Sequence, residues 1–337
     1  MSFLIRQTLI YAVPLMIVAL AGIFSERSGI INLALEGMMI FGAFIGVLFV
    51  RILQQYGVFD AAKANGDWWS LQGFMFMTML VAAALGALFS LLLAFASINL
   101  KADQTIGGTA LNMMAPALVL FFVRMIANQN TLQMYTGDSA SWFMLKKSMF
   151  GYGRSEEMSF LGDTFLNKVY LATYVCIIVY IVLSIILYKT RFGLRLRACG
   201  EHPQAADSVG INVYKMRWAG VLISGFLGGI GGIVFITAGV SEWRFEYGVA
   251  GFGFLSLAVM IFGQWKPQRI ALAALLFGLF RALSNVYMGF GFLTAMNIPS
   301  PVYNMMPYII SLIVLAFTSK RSRAPKAEGI PYDKGQR

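Results

Sequence analysis

Nine stretches of the chain are apolar for long enough to cross a bilayer, and the polar positions gather between them. A hydrocarbon core of about 30 Å takes about 20 apolar residues per helix. The stretches 7–24, 30–50, 73–96, 105–123, 169–188, 218–240, 247–264, 270–290 and 302–318 approach or exceed that length. Those at 73–96, 169–188 and 218–240 contain no charge. Only Arg6 precedes the first stretch and no A-x-A site follows it, so it reads as a retained span rather than a cleaved signal. The pattern predicts an all-α polytopic membrane protein with nine transmembrane helices, or ten if 25–50 is a broken or re-entrant element.

Composition supports this reading and removes others. Of 337 residues, 58% are hydrophobic and 12% charged, and the mean hydropathy is +0.72. A soluble domain carries about 25% charged residues, so this chain has too little polar surface to cover a water-soluble globule. Two cysteines and one histidine leave no disulfide framework and no His- or Cys-rich metal site. The net charge of +11 could suggest nucleic acid, but its distribution argues otherwise. Residues 189–217 carry six bases against Glu201 and Asp207, and residues 320–337 carry six against Glu328 and Asp333. Adding Lys266 and Arg269 accounts for ten of the eleven net charges. Short cytoplasmic loops are enriched in Lys and Arg, and with nine spans all three basic segments fall on one side. This places 124–168 and the N-terminus outside, with a transmembrane domain over 1–319 and a free basic cytoplasmic tail over 320–337.

Three constellations carry candidate chemistry. In RFGLRLRACGEHPQAADSVGINVYKMRW (191–218), Pro203 suits the first turn of a helix and Gly210 its left-handed end. Between them lies a helix of about two turns with Ala205 and Ala206 as a flat face; so short a helix is marginal alone and calls for a docking partner. The run Gly225, Gly228, Gly229, Gly231, Gly232 sits inside a span, where small-xxx-small pairs allow close helix approach. Polar residues inside spans are costly and mark either internal networks or a transport path. Asn32 and Glu36 share a helix face, as do Thr105, Thr109 and Asn112 before Pro116, and Arg281, Ser284 and Asn285 form a third group. Glu36 and Arg281 could pair. No G-x-x-x-x-G-K-[ST] cradle for nucleotide phosphates occurs, and no catalytic or metal-binding group is expected.

The 191–218 stretch resembles the cytoplasmic coupling loop of bacterial ABC importer permeases of the branched-chain amino acid, ribose and nucleoside group. SERSGIINLALEGMMIFGAF (25–44) resembles the early signature of that group in its nucleoside-type form, and GVAGFGFLSLAVMIFGQWKPQRIALAALLFG (248–278) its late glycine-rich segment. Gln264–Trp265 and His202 depart from common family patterns. The resemblance covers roughly 7–318. It implies a type II-like permease domain that forms half of a pore, paired with a second permease in a heterodimer. It also implies a cytoplasmic ATPase holding ATP and Mg, with no cofactor in this chain, and an extracytoplasmic substrate-binding lipoprotein. Within 189–217 it implies that Glu201, Pro203, Ala205, Ala206 and Gly210 lie at the ATPase contact. Asn32, Glu36, Thr109, Asn112 and Asn285 are the candidates for the translocation path.

The expected protein is therefore a multi-pass permease of the bacterial plasma (inner) membrane, importing nucleosides and not itself an enzyme. A sugar, a riboflavin-like compound or an amino acid remain alternative substrates. A rival of another class is a secondary transporter driven by protons through Glu36; its only sequence support is the short echo of GMMIFGA (37–43) in AVMIFGQ (258–264).

Overall fold

The computed structural model describes residues 2–58, 60–134, 143–153, 158–239, 242–286, 299–318 and 324–335. Stretches 135–142 and 154–157 of the expected external loop, the end of the 270–290 segment, and Lys320, Arg321 and Arg323 lie outside these.

The described residues form a helical bundle. In chain order the helices are α1 (Ser2–Glu26), α2 (Leu35–Gln55), α3 (Asp60–Ala64), α4 (Trp68–Ala94), α5 (Gln104–Ala127), α6 (Phe160–Phe165), α7 (Leu171–Lys189), α8 (Arg191–Glu201), α9 (Pro203–Ser208), α10 (Val213–Gly239), α11 (Phe252–Phe262), α12 (Pro267–Val286) and α13 (Ser300–Thr318). Each expected apolar stretch coincides with one long helix, except that 247–264 is reduced to α11. Among the described residues, six helices are long and apolar enough to cross a membrane: α1, α2, α4 with its extension to Asn99, α5, α7 and α10. At 11 residues α11 spans about 16 Å at about 1.5 Å per residue, close to half of the hydrocarbon core. It is a half-helix reached through irregular backbone, an arrangement tolerated at membrane depth only where protein or a cavity surrounds it.

Helices α1 and α10 form the centre of the bundle. α10 packs on α4, α1 and α2, while α1 also lies against α12. The glycine run permits this. A Cβ on Gly229 would lie 2.2 Å from the Ala82 carbonyl oxygen on α4, so the α10 and α4 backbones touch where a side chain would stand. Along α1 and α10, Phe24, Leu20, Ile233 and Val18 are fully enclosed. By contrast, α5 and α7 keep most of their surface exposed.

Two features lie outside the hydropathy pattern. A two-stranded antiparallel ribbon, β1 (Thr131–Gln133) with β2 (Glu242–Arg244), ties the end of α5 to the end of α10. The basic stretch after α7 is itself helical: α8 runs for 11 residues and is capped by Thr190 Oγ1, which accepts from the Gly193 amide at 3.3 Å.

The free tail expected from sequence is corrected in part. Residues 324–335 are folded against the bundle as a strap. Ala327 N donates to Gly200 O at 2.9 Å and Gly329 N to Gly29 O at 3.3 Å. Arg217 donates to Ile330 O at 3.0 Å, and the Tyr332 ring meets Tyr214 edge-on. Tyr332 anchors the strap in an apolar seat with Cys199, Ala206 and Val213, and Ala327 is buried; a count of basic residues registers neither.

Candidate functional site

Glu36 begins at the first turn of α2 and reaches across to the start of α11. Its Oε2 accepts from the Gly253 amide at 2.6 Å and its Oε1 from the Gly251 amide at 3.1 Å. The first amides of a helix have no intrahelical partner and carry the positive end of its dipole, so the carboxylate meets its complement in backbone rather than in a base. The pair with Arg281 suggested by sequence is not made among the described residues. Arg281 instead places its guanidinium 6.0 Å from the Tyr11 ring centre.

Asn32 and Asn112 complete a polar knot around the same turn. Asn32 is fully buried; its Nδ2 donates to Ser224 Oγ at 2.7 Å and its Oδ1 accepts from Ala34 N at 3.0 Å. Asn112 Oδ1 accepts from Gly37 N at 2.8 Å, and its Nδ2 donates to Leu33 O. The irregular backbone 27–34 is thus met by side chains of α5 and α1: Gln104 Oε1 accepts from Ile31 N at 2.7 Å, and Ser25 Oγ donates to Ile30 O at 2.8 Å. Thr109 lies one turn before Asn112 on the exposed side of α5, its hydroxyl donating to its own helix at Thr105 O. Asn285 stands apart and donates to Tyr11 OH. Three of the five path candidates therefore converge, one flanks them, and one lies elsewhere. Gln104 and Ser224 belong to the knot but were missed, since single polar residues at a span end or among glycines give no periodic signal.

At the C-terminal end of α1, the loop residues form the short helix read from the sequence. Pro203 opens α9, and Gly210 closes it with φ +81° and its amide on Asp207 O at 2.9 Å. Glu201 pairs with Arg27 at 3.0 Å, which joins the loop to the segment leading into Asn32 and Glu36. The two alanines are not a common face. Ala205 is exposed, whereas Ala206 is 3% exposed and packs with Cys199, Val213 and Tyr332. Burial pushes the Cys199 thiol up to about 11, so it is an inert packing group.

The strap adds a titratable contact. Burial raises the Glu328 carboxyl from its usual range to about 7, opposed by a hydrogen bond to Glu26 and by the Arg27 charge. Glu26 in turn accepts from Trp265 Nε1 at 2.5 Å. Because the folded value lies above the unfolded one, the contribution of Glu328 is fully present below about pH 4.5 and is lost as pH rises through about 7. Hydrogen exchange at 327–332, corrected for the intrinsic pH dependence, should show protection falling between pH 5 and pH 8. Glu328→Gln should flatten that dependence, and an unchanged profile would remove Glu328 as the titrating group.

The sequence pattern of the branched-chain amino acid transport system permease component family matches residues 4–317. The chain belongs to this family. The permease is 40% identical to the nucleoside ABC transporter permease protein NupC of Lactococcus lactis subsp. cremoris, over 100% of this chain and 98% of that one. It is 41% identical to the guanosine ABC transporter permease protein NupQ of Bacillus subtilis, with the same coverage. A more distant match, 24% identical over 60% of this chain and 54% of the other, is the nucleoside ABC transporter permease protein NupB of L. lactis. No solved structure matches. The permease is a multi-pass membrane protein whose relatives work in multi-subunit ABC systems.

Proposed function

We propose that the permease is one transmembrane subunit of an ATP-driven nucleoside importer in the bacterial plasma membrane. Its partners would be a second, related permease, a cytoplasmic ATPase that binds ATP and Mg, and an extracytoplasmic binding lipoprotein. The observation that carries the substrate class is the full-length similarity to permeases named for nucleoside and guanosine. A nine-crossing topology with the N-terminus outside is supported by Ser2 Oγ donating to Asp163 at one end of the bundle and the Arg27–Glu201 pair at the other.

In this reading the path runs beside the knot of Asn32, Glu36 and Asn112, with Thr109 on the open face of α5. Motion of the ATPase is received at α9 and passes through Glu201 and Arg27 into residues 27–34. There it alters the turn that presents Glu36 to α11. The chain contributes no chemistry to ATP; it converts displacement at α9 into a change of packing between α2 and α11.

Substrate class is tested by uptake of labelled guanosine in cells carrying the complete transporter and lacking other nucleoside carriers. Excess unlabelled nucleosides should abolish uptake, whereas ribose, riboflavin and leucine should leave it intact. Equal competition by ribose would move the assignment to a sugar permease.

A further inference from the structure

Between α7, α12 and α1, near the charged end of α7, lies a cavity of about 650 Å³. Its walls are largely aliphatic, including Met16, Ile177, Ile181 and Ile185, and its mouth carries Lys189 and Lys266. Neither lysine side chain makes an ion pair or hydrogen bond among the described residues. The outward side of α7 continues the aliphatic surface through Ile178, Ile181, Val182 and Ile185, all exposed. Charge appears only where the helix ends.

The mouth is built rigidly. Lys266 follows Gln264 and Trp265, both held in the left-handed region at φ +52° and +54°, a conformation uncommon for non-glycine residues. Tyr188 OH donates to Trp265 O and Tyr180 OH to Pro267 O, each at 2.7 Å. Trp265 is also tied to Glu26. Three contacts thus fix the turn that carries Lys266.

We propose that this cavity binds an anionic phospholipid of the cytoplasmic leaflet, the phosphate held between Lys189 and Lys266 and one acyl chain lying along α7. The charge pattern of the chain puts both lysines on the cytoplasmic side, where the leaflet is anionic and basic pockets between helices recognise lipid headgroups. A soluble phosphate would meet the lysines but have no use for the aliphatic walls. A neutral lipid would fill the walls but leave two ammoniums without a counter-charge. The site also adjoins the coupling region, because α7 leads through Thr190 directly into α8.

The test is native mass spectrometry of the full chain, alone and in the assembled transporter, with phosphatidylglycerol and phosphatidylcholine of identical acyl chains as probes. Phosphatidylglycerol should be retained in preference to phosphatidylcholine. Lys189→Gln with Lys266→Gln should weaken its retention by about 30-fold, the loss expected for two basic groups near an anionic headgroup. Lys189→Arg with Lys266→Arg should preserve it, as should the control pair Lys326→Gln with Lys334→Gln. Ser184→Trp, which fills the cavity from α7, should expel the lipid with all charges in place. Equal retention of the two lipids, or displacement of phosphatidylglycerol by equimolar inorganic phosphate, would overturn the proposal. Loss of the lipid on assembly with the second permease would overturn it as well and make the groove a subunit interface.

Discussion

Replacing Glu36 by glutamine should lower uptake by about ten- to a hundredfold while the protein still inserts and accumulates. The side chain spans two elements, accepting from the amides of Gly251 and Gly253 at 3.1 and 2.6 Å. A hydrogen bond to a charged group contributes about 1.5–3 kcal/mol. Glutamine keeps one oxygen but turns an NH2 toward one of the two amides, donor against donor, and removes the charge that complements the start of α11. At about 1.4 kcal/mol per factor of ten, losing this clamp shifts the balance between arrangements of α2 and α11 by the stated range. The rest of the bundle is untouched, since α1, α4 and α10 meet through close backbone packing elsewhere. Glu36→Asp keeps the charge on a shorter stem and should fall between wild type and glutamine. Uptake assays paired with membrane immunoblots check the series, and wild-type uptake by Glu36→Gln would remove Glu36 from the working parts.

Hydropathy located the helices of this fold well because a bilayer demands continuous apolar length, and a run such as 169–188 has no other use. It failed where irregular backbone is stabilised by tertiary partners. The shortness of α11 depends on Glu36 capping it from 215 residues away, and no local pattern encodes such a partner. The helical state of α8 was hidden because its bases read as a topology signal, although Thr190 offered a cap. Asn32, Glu36 and Asn112 were legible as costly polar residues inside apolar segments, and their convergence follows from that cost. The suggested partner for Glu36 was different: sequence offers Arg281 as the opposite charge, whereas the structure uses backbone amides. The strap is hidden from a charge count because the six bases of 320–337 dominate that segment, whereas docking rests on Tyr332 and on backbone hydrogen bonds of Ala327 and Gly329.

The second large effect concerns α9. Ala205→Glu should abolish transport with the membrane fold intact, because Ala205 is the exposed alanine of the short helix. An unpaired charge buried at the proposed ATPase contact costs several kcal/mol, at least a hundredfold in affinity. Ala206→Glu should behave differently. It would push a charge into the seat formed with Cys199, Val213 and Tyr332, destabilising the loop and loosening the strap before any partner is reached. Limited proteolysis should therefore cut Ala206→Glu faster than wild type and leave Ala205→Glu unchanged.

The proposed mechanism is that this chain turns ATPase movement, received at α9, into access for a nucleoside. It is tested most directly by nucleoside uptake into proteoliposomes holding the assembled transporter, with and without ATP and with and without a protonophore. Uptake by the wild-type complex should require ATP and ignore the protonophore, and the Ala205→Glu complex should show none. Uptake that proceeds without ATP and collapses with the proton gradient, or normal ATP-driven uptake by Ala205→Glu, would contradict it.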